Sequence, residues 1–200
     1  EFLLGGPTTG QRNEALFTHI PGLRVLCPSR PSHAYGLMRT ALETPGVTVF
    51  FEDRMISDAE FGNDKPPFPA RFPLGSSSVF NGPTTRPNTI ITYGVMRQIV
   101  QRVIAAQSES WKGVDLVSLF PIEWHTLERL IDPTGKVLIV EPDVAYAGIG
   151  AEIAAHLAET RPGICIKRLG APRTTAPASQ ALHHKLMPTE EDVVAAIRSF

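Results

Sequence analysis

The sequence predicts an α/β protein built in two parts around mostly parallel sheet. Short apolar runs alternate with stretches of helical periodicity, the pattern of parallel strands joined by crossover helices. Runs such as LRVLCP (23–28) and KVLIVEP (136–142) are apolar at consecutive positions, as strands covered on both faces are. A proline-dense interval divides the alternation in two.

Taken in order, residues 2–4 read as a strand that runs into the loop GGPTTG. NEALFTHI (13–20) reads as a short helix with Asn13 as N-cap. LRVLCP is a strand, and Pro31 then opens PSHAYGLMRTALET (31–44), where Ala34, Leu37, Met38, Ala41 and Leu42 recur at helical spacing. VTVFFE (47–52) is the next strand. Between Asp64 and Asn88 fall six of the chain's 18 prolines, so this interval reads as an extended connector. The expected division is therefore a first unit over 1–62, a Pro-rich connector over 63–87 and a second unit over 88–200. In the second unit TIITYG (89–94) is a strand and MRQIVQRVIAAQ (96–107) a helix with Ile99, Val103 and Ala106 on one face. VDLVSL (114–119), IEWHTLERLI (122–131) and KVLIVEP continue as strand, helix and strand. IGAEIAAHLAE (149–159) is a helix with Ile149, Ile153 and Leu157 four apart, and GICIKRL (163–169) is a strand. MPTEEDVVAAIRSF (187–200) is a helix capped by Thr189, with Val193, Ile197 and Phe200 on its apolar side.

Composition narrows the function classes. A 42% hydrophobic content and a net charge of −1 describe a globular chain without the basic surplus of a nucleic-acid binder. No apolar run approaches the roughly 20 residues that cross a bilayer, so no membrane association is expected. EFLLGG has no basic n-region, so no secretory signal is expected. An opening inside a strand-like run, without methionine, reads as part of a longer or split polypeptide. Cys27 and Cys165 both sit in apolar runs and are expected to be buried, reduced thiols of a cytoplasmic protein, or of the mitochondrial matrix in a eukaryote.

The motifs are individually thin. GGPTTG lacks the Gly-Lys-Ser/Thr of a phosphate-binding P-loop. GIGAE (148–152) resembles the start of a dinucleotide fingerprint but has neither the third glycine nor the later acid. His183–His184 has no metal-ligating neighbour at suitable spacing. His33, His125 and His156 lie on helices and read as surface or packing residues, and His19 stands at the rim of the first loop. Spacing alone yields no Ser/His/Asp or Cys/His set.

Longer stretches carry a resemblance. HIPGLRVLCPSRPSHAYGLMRTALETPGVTVFFED is similar to the beta subunit of the thiamine-diphosphate-dependent decarboxylase component of 2-oxoacid dehydrogenase complexes. TIITYGVMRQIV, VDLVSLFPIEWHTL, TGKVLIVEPDVAYAGIGAEIAAHLAE and LMPTEEDVVAAIRSF follow that family's C-terminal domain in order. Pyruvate, branched-chain and acetoin enzymes share the plan, and transketolase-like enzymes share the architecture.

The resemblance implies the second half of a transketolase-type pyrimidine-binding domain followed by a transketolase C-terminal-like domain. It implies a multi-chain enzyme that decarboxylates a 2-oxoacid and transfers the acyl or aldehyde unit, this chain alone being inactive. Thiamine diphosphate with magnesium would be bound mainly by partner chains. The implied partners are an alpha-type subunit, the missing N-terminal half of the pyrimidine domain, a homologous beta-type chain across a dimer, and an acyltransferase core or carrier protein. The family's active-site loop carries a histidine that is absent from GPTTGQRNEALF, where Thr8, Thr9 and Gln11 stand nearest. Some members bind potassium at the turn matching ALETPG, where Ala41 and Thr44 are the residues left for such a site. Glu141–Pro142 stands where the family has Glu-Glu. Two alternatives stay open, a split transketolase-like subunit moving a two-carbon unit and a non-catalytic assembly subunit.

Overall fold

The computed structural model describes residues 10–53, 56, 71–107, 110–179, 182 and 186–200. The strand expected at 2–4, Thr8, Thr9 and His183–His184 lie outside these residues. The first unit comprises helix α1 (Glu14–Thr18), strand β1 (Leu23–Leu26), helix α2 (Pro31–Glu43) and strand β2 (Val47–Phe50). β1 and β2 pair in parallel, Leu23 opposite Val47 and Leu26 opposite Phe50. The third strand of this sheet comes from far along the chain. β6 (Ser118–Phe120) pairs antiparallel with β1, and the Cys27 N–H donates to the Val117 carbonyl at 3.0 Å.

The second sheet has the order β3-β5-β4-β7-β8, from β3 (Ser77–Phe80), β4 (Asn88–Thr92), β5 (Trp111–Leu116), β7 (Lys136–Val144) and β8 (Cys165–Ala171). β5, β4, β7 and β8 are parallel, while β3 is an antiparallel edge on β5. β3 lies inside the interval read as an extended connector. Its four residues are free of proline, so every N–H is available to the ladder that the surrounding prolines would break. The single strand expected at 114–119 is two, because the chain leaves the second sheet after Leu116 and enters the first as β6.

Side chains alternate between the two faces of the sheet with the period of two that a pleat imposes, and the central strands are buried on both faces. Ile91, Val137 and Ile139 meet Ile149, Ile153 and Leu157 of helix α5 (Ile149–Thr160) on one face. Ile90, Leu138 and Val140 meet helices α3 (Met96–Gln107) and α6 (Glu190–Arg198) on the other. The core stripe of α3 is Met96, Val100, Val103 and Ile104; of the expected residues Val103 is buried in it and Ile99 packs partly buried against it, while Ala106 is exposed. The stripe at 96, 100, 103 and 104 follows the helical repeat through the longest apolar side chains. α6 starts at a capping box in which Thr189 and Asp192 satisfy each other's backbone N–H. Helix α4 (Trp124–Arg129) joins β6 to β7.

Two expectations from apolar texture need correction. Cys27 is buried, but Cys165 is exposed, because β8 is an outermost strand and an apolar run there does not guarantee cover. On α2, Leu37 is buried and Ala41 packs with Leu26 and Val117, whereas Tyr35, Met38 and Leu42 face outward. Truncating Leu157, which has no exposed surface, should cost about 2–5 kcal/mol. Leu42→Ala, at an 80% exposed position, should stay within about 0.5 kcal/mol in the isolated chain. Urea unfolding midpoints of the two variants check this assignment of faces, and equal losses would contradict it.

Candidate functional site at the carboxyl edge of the second sheet

Parallel sheets with helices on both faces bind ligands outside the carboxyl ends of their strands. Here that edge carries Tyr93 just beyond β4, Asp115 in β5, and Glu141 and Asp143 in β7, all buried. The first unit lies against these residues through two polar networks.

Asp115 holds the first network. Its Oδ2 accepts the Ser29 hydroxyl and lies 3.2 Å from Arg97 Nε and 3.4 Å from His33 Nδ1. Ser29 and His33 come from the first unit, Arg97 and Asp115 from the second. His33 also meets the Phe72 ring edge-on at 4.9 Å, and the Arg97 guanidinium lies over Phe80 at 4.6 Å. A Ser–His–Asp set has thus assembled that spacing did not disclose, but it is not a nucleophile relay. Ser29 Oγ, 3.1 Å from His33 Nδ1, and Asp115 share the same ring nitrogen, and Ser29 has no exposed surface. It joins the two units, the Ser29 hydroxyl and His33 of the first meeting the Arg97–Asp115 pair of the second.

Arg12 and four carboxyls form the second network. Arg12 donates to Glu14 Oε1 at 3.2 Å and to Asp53, and its guanidinium is 3.9 Å from Met187 Sδ. Asp143 Oδ2 accepts the Ala15 N–H at 3.2 Å, and its Oδ1 accepts the Val144 N–H at 2.7 Å. Glu141 Oε2 accepts the Gly150 N–H at 3.0 Å, which places the carboxyl at the N-terminus of α5. A Cβ on Gly148 would come within 2.5 Å of Glu141 Oε2, and one on Gly150 within 2.6 Å of Oε1. The glycines of GIGAE therefore make room for the protein's own carboxyl where a dinucleotide pyrophosphate would sit.

Burial is the main cause that lifts Glu141 from the ordinary 4.5 to about 7, with Asp143 and Glu14 adding repulsion and the Gly150 N–H opposing. Burial likewise raises Glu14, against the pull of Arg12. The Tyr93 hydroxyl and the Cys27 thiol are pushed well up by burial, with nearby carboxylates adding to it.

Beside this network α1 and the second unit enclose a groove of about 960 Å³, lined by Gln11, Arg12, His19, Trp124, Asp143 and Tyr146 among others. Gln11 Oε1 accepts the Ala176 N–H at 3.2 Å, so its NH2 end is the donor it can offer a ligand. Of the residues expected to form a site, Gln11 lines this groove, and so does His19. Ala41 and Thr44 do not. The Arg24 guanidinium donates to the Thr44 carbonyl at 2.8 Å, the Pro45 carbonyl at 2.9 Å and Thr48 Oγ1 at 2.9 Å. Among the described residues no set of three His, Cys, Asp or Glu is placed to hold a metal ion. No helix among the described residues is long and apolar enough to cross a membrane.

The model of the transketolase C-terminal domain matches residues 86–193, more than half of the chain. The chain belongs to that family. The transketolase pyrimidine binding domain matches residues 5–58. The chain is 30% identical to the mitochondrial 2-oxoisovalerate dehydrogenase subunit beta 2 of Arabidopsis thaliana, over 98% of this chain and 55% of that protein. It is 29% identical to the acetoin:2,6-dichlorophenolindophenol oxidoreductase subunit beta of Cupriavidus necator, over 92% of this chain and 55% of that protein. The pyruvate dehydrogenase E1 component subunit beta of Porphyra purpurea is 32% identical over 77% of this chain and 46% of its own length. The chain spans about half the length of the curated relatives it matches. A solved structure titled "Split gene transketolase, inactive beta4 tetramer" shares the fold, with a TM-score of 0.71 at 24% identity over 93% of this chain and 59% of that one.

Sequence reading gave no site role to Glu14, Ser29, His33, Tyr93, Arg97, Asp115, Glu141 and Asp143, although it noted His33 on its helix and Glu141 where the resemblance has Glu-Glu. The available signal was a carboxylate inside an otherwise apolar strand, as in VDLVSL and VLIVEPDV. Asp115→Asn should cost about 3–5 kcal/mol because it breaks a buried ion pair, removing the carboxylate that Arg97 Nε meets at 3.2 Å. Chemical denaturation measures this, and a loss below about 1 kcal/mol would deny Asp115 that role. A second expectation concerns pH. A carboxyl raised on folding contributes stability that is fully present below its ordinary value and is lost as pH rises through the folded one. For Glu141 the loss falls mainly between about 4.5 and 7 and amounts to about 3 kcal/mol at 1.36 kcal/mol per pH unit. Glu14 acts in the same sense. The unfolding midpoint should fall from pH 5 to pH 8, and Glu141→Gln should flatten that fall.

Proposed function

We propose that this chain is a beta-type component, or the C-terminal piece of one, of a thiamine-diphosphate-dependent enzyme that decarboxylates a 2-oxoacid and passes on the acyl or aldehyde unit. The observation that carries the reading is the junction itself. A piece of a pyrimidine-binding domain and a transketolase C-terminal domain follow each other in order, and the loop at Gln11 lines a groove between them. The activities named for the 2-oxoisovalerate, pyruvate and acetoin relatives support the substrate class. The division proposed is 1–62, 63–87 and 88–200, with β6 crossing back to complete the first sheet.

In this reading Thr8, Thr9 and Gln11 present hydrogen-bond donors to the reacting groups, and partner chains hold thiamine diphosphate and magnesium. No potassium is required at the turn of Ala41 and Thr44, since the Arg24 guanidinium already satisfies the Thr44 and Pro45 carbonyls that a cation would take. The partners are an alpha-type chain and the complementary portion of the pyrimidine-binding domain. Tyr35, Met38 and Leu42 on α2, and Val47 on β2, are the exposed apolar residues that this portion would cover. A second beta-type chain and an acyl carrier complete the assembly. The sugar-phosphate alternative has less behind it, because Arg12 in the groove is committed to Glu14 and Asp53.

The test is carbon dioxide release by the chain together with its native companion chains. Pyruvate and branched-chain 2-oxoacids should give release that needs thiamine diphosphate and magnesium, is lost when this chain is omitted, and is unchanged when sodium replaces potassium. Cofactor binding without release from any 2-oxoacid would favour two-carbon transfer from sugar phosphates. Failure to bind the cofactor would favour an assembly subunit.

A further inference from the structure

The buried acids at the junction are short of donors. Glu14 Oε2, Glu141 Oε1 and the Tyr93 hydroxyl are buried, and each lacks a hydrogen-bond partner among the described residues. Ionised carboxylates only accept. The groups facing Glu141 come from every side. They are Glu14 on α1, Tyr93 after β4, Asp143 on β7 itself, Arg168 on β8, and the α5 N-terminus through Gly150, with Cys27 and Asp53 coupled to the same cluster. Arg12, the cation that bonds to carboxyls within the cluster, is divided between Glu14 and Asp53. The volume around Glu141 is filled to contact, since a Cβ on Gly148, Gly150 or Gly170 would each come within 3 Å of its side chain. A proton on Glu141 supplies the missing donor and removes the excess charge.

We propose that Glu141 is a positioning residue which, carrying a proton, holds α1 and the Gln11 loop against the second sheet and so sets the shape of the groove. α1 and its loop are anchored at three points, Ala15 on Asp143, Gln11 on Ala176 and Arg12 on Met187. Asp143 is two residues from Glu141 on the same strand. Loss of the proton places a second full negative charge beside Asp143 and Glu14, repels α1 and releases the Ala15 amide. The groove then opens near neutral pH without global unfolding. The inference does not depend on the identity of the cofactor or substrate.

Amide hydrogen exchange of the full chain, purified with the chains that accompany it, tests this from pH 6 to 8.5 after correction for intrinsic exchange rates. In the native protein, protection over residues 13–18 should fall at least tenfold across that range, while the Ile149–Thr160 helix stays protected. Glu141→Gln supplies a permanent neutral donor and should keep 13–18 protected throughout. Glu14→Gln should shrink the change, and it serves alone if Glu141→Gln does not fold. Exchange over 13–18 that is independent of pH in the native protein, or that follows the native profile in every folded variant, would overturn the proposal. No substrate or cofactor enters this readout, so carbon dioxide release and amide protection can fail independently.

Discussion

Asp115 has no exposed surface, and an aspartate so placed cannot be left without compensation. Its partners are drawn from the loop after β1, from α2 and from α3, so satisfying one carboxylate ties the two units together at a defined angle. The pairing of β6 with β1 and the placement of Cys27 against Val117 follow the same join. A buried ion pair of this kind adds little net stability compared with apolar packing. What it adds is specificity, because a misdocked first unit would take the Ser29 hydroxyl and His33 away from the buried Asp115.

The same edge explains why the glycine-rich start of α5 is not a nucleotide site. A helix N-terminus attracts an anion, and here Glu141 from the neighbouring strand provides one internally. The glycines at 148, 150 and 170 are the steric consequence of that choice. The edge that usually receives a ligand in such sheets is occupied by docking and by internal charge. Ligand space is displaced to the groove beside it, under α1 and Tyr146.

The exposed apolar surface falls into two faces with different surroundings. Leu16, Ile20, Phe120 and Tyr146 are grouped around or beside the groove. Tyr35, Met38 and Leu42 lie along α2, and Val47 opens β2, which pairs only with β1 among the described residues. Solitary exposed apolar residues need no explanation, but a helical stripe beside an open strand edge does.

Periodicity alone determined most of the elements. The α5 stripe Ile149, Ile153 and Leu157, the Thr189 cap and the Pro31 helix start are local properties, fixed by spacing within a few residues, and the structure has each of them. The family was legible for the same reason, in runs of consecutive residues. Gln11 at the groove was legible only through that resemblance. Tertiary structure alone decided that His33 meets Asp115 across 82 positions of chain, that Glu141 fills a helix terminus, and that the chain crosses between sheets after Leu116. It also decided which apolar runs are covered, leaving Cys165 exposed and Cys27 buried. The physical reason is that burial and charge compensation are set by what packs from elsewhere in the chain, and no window of neighbouring residues contains that information.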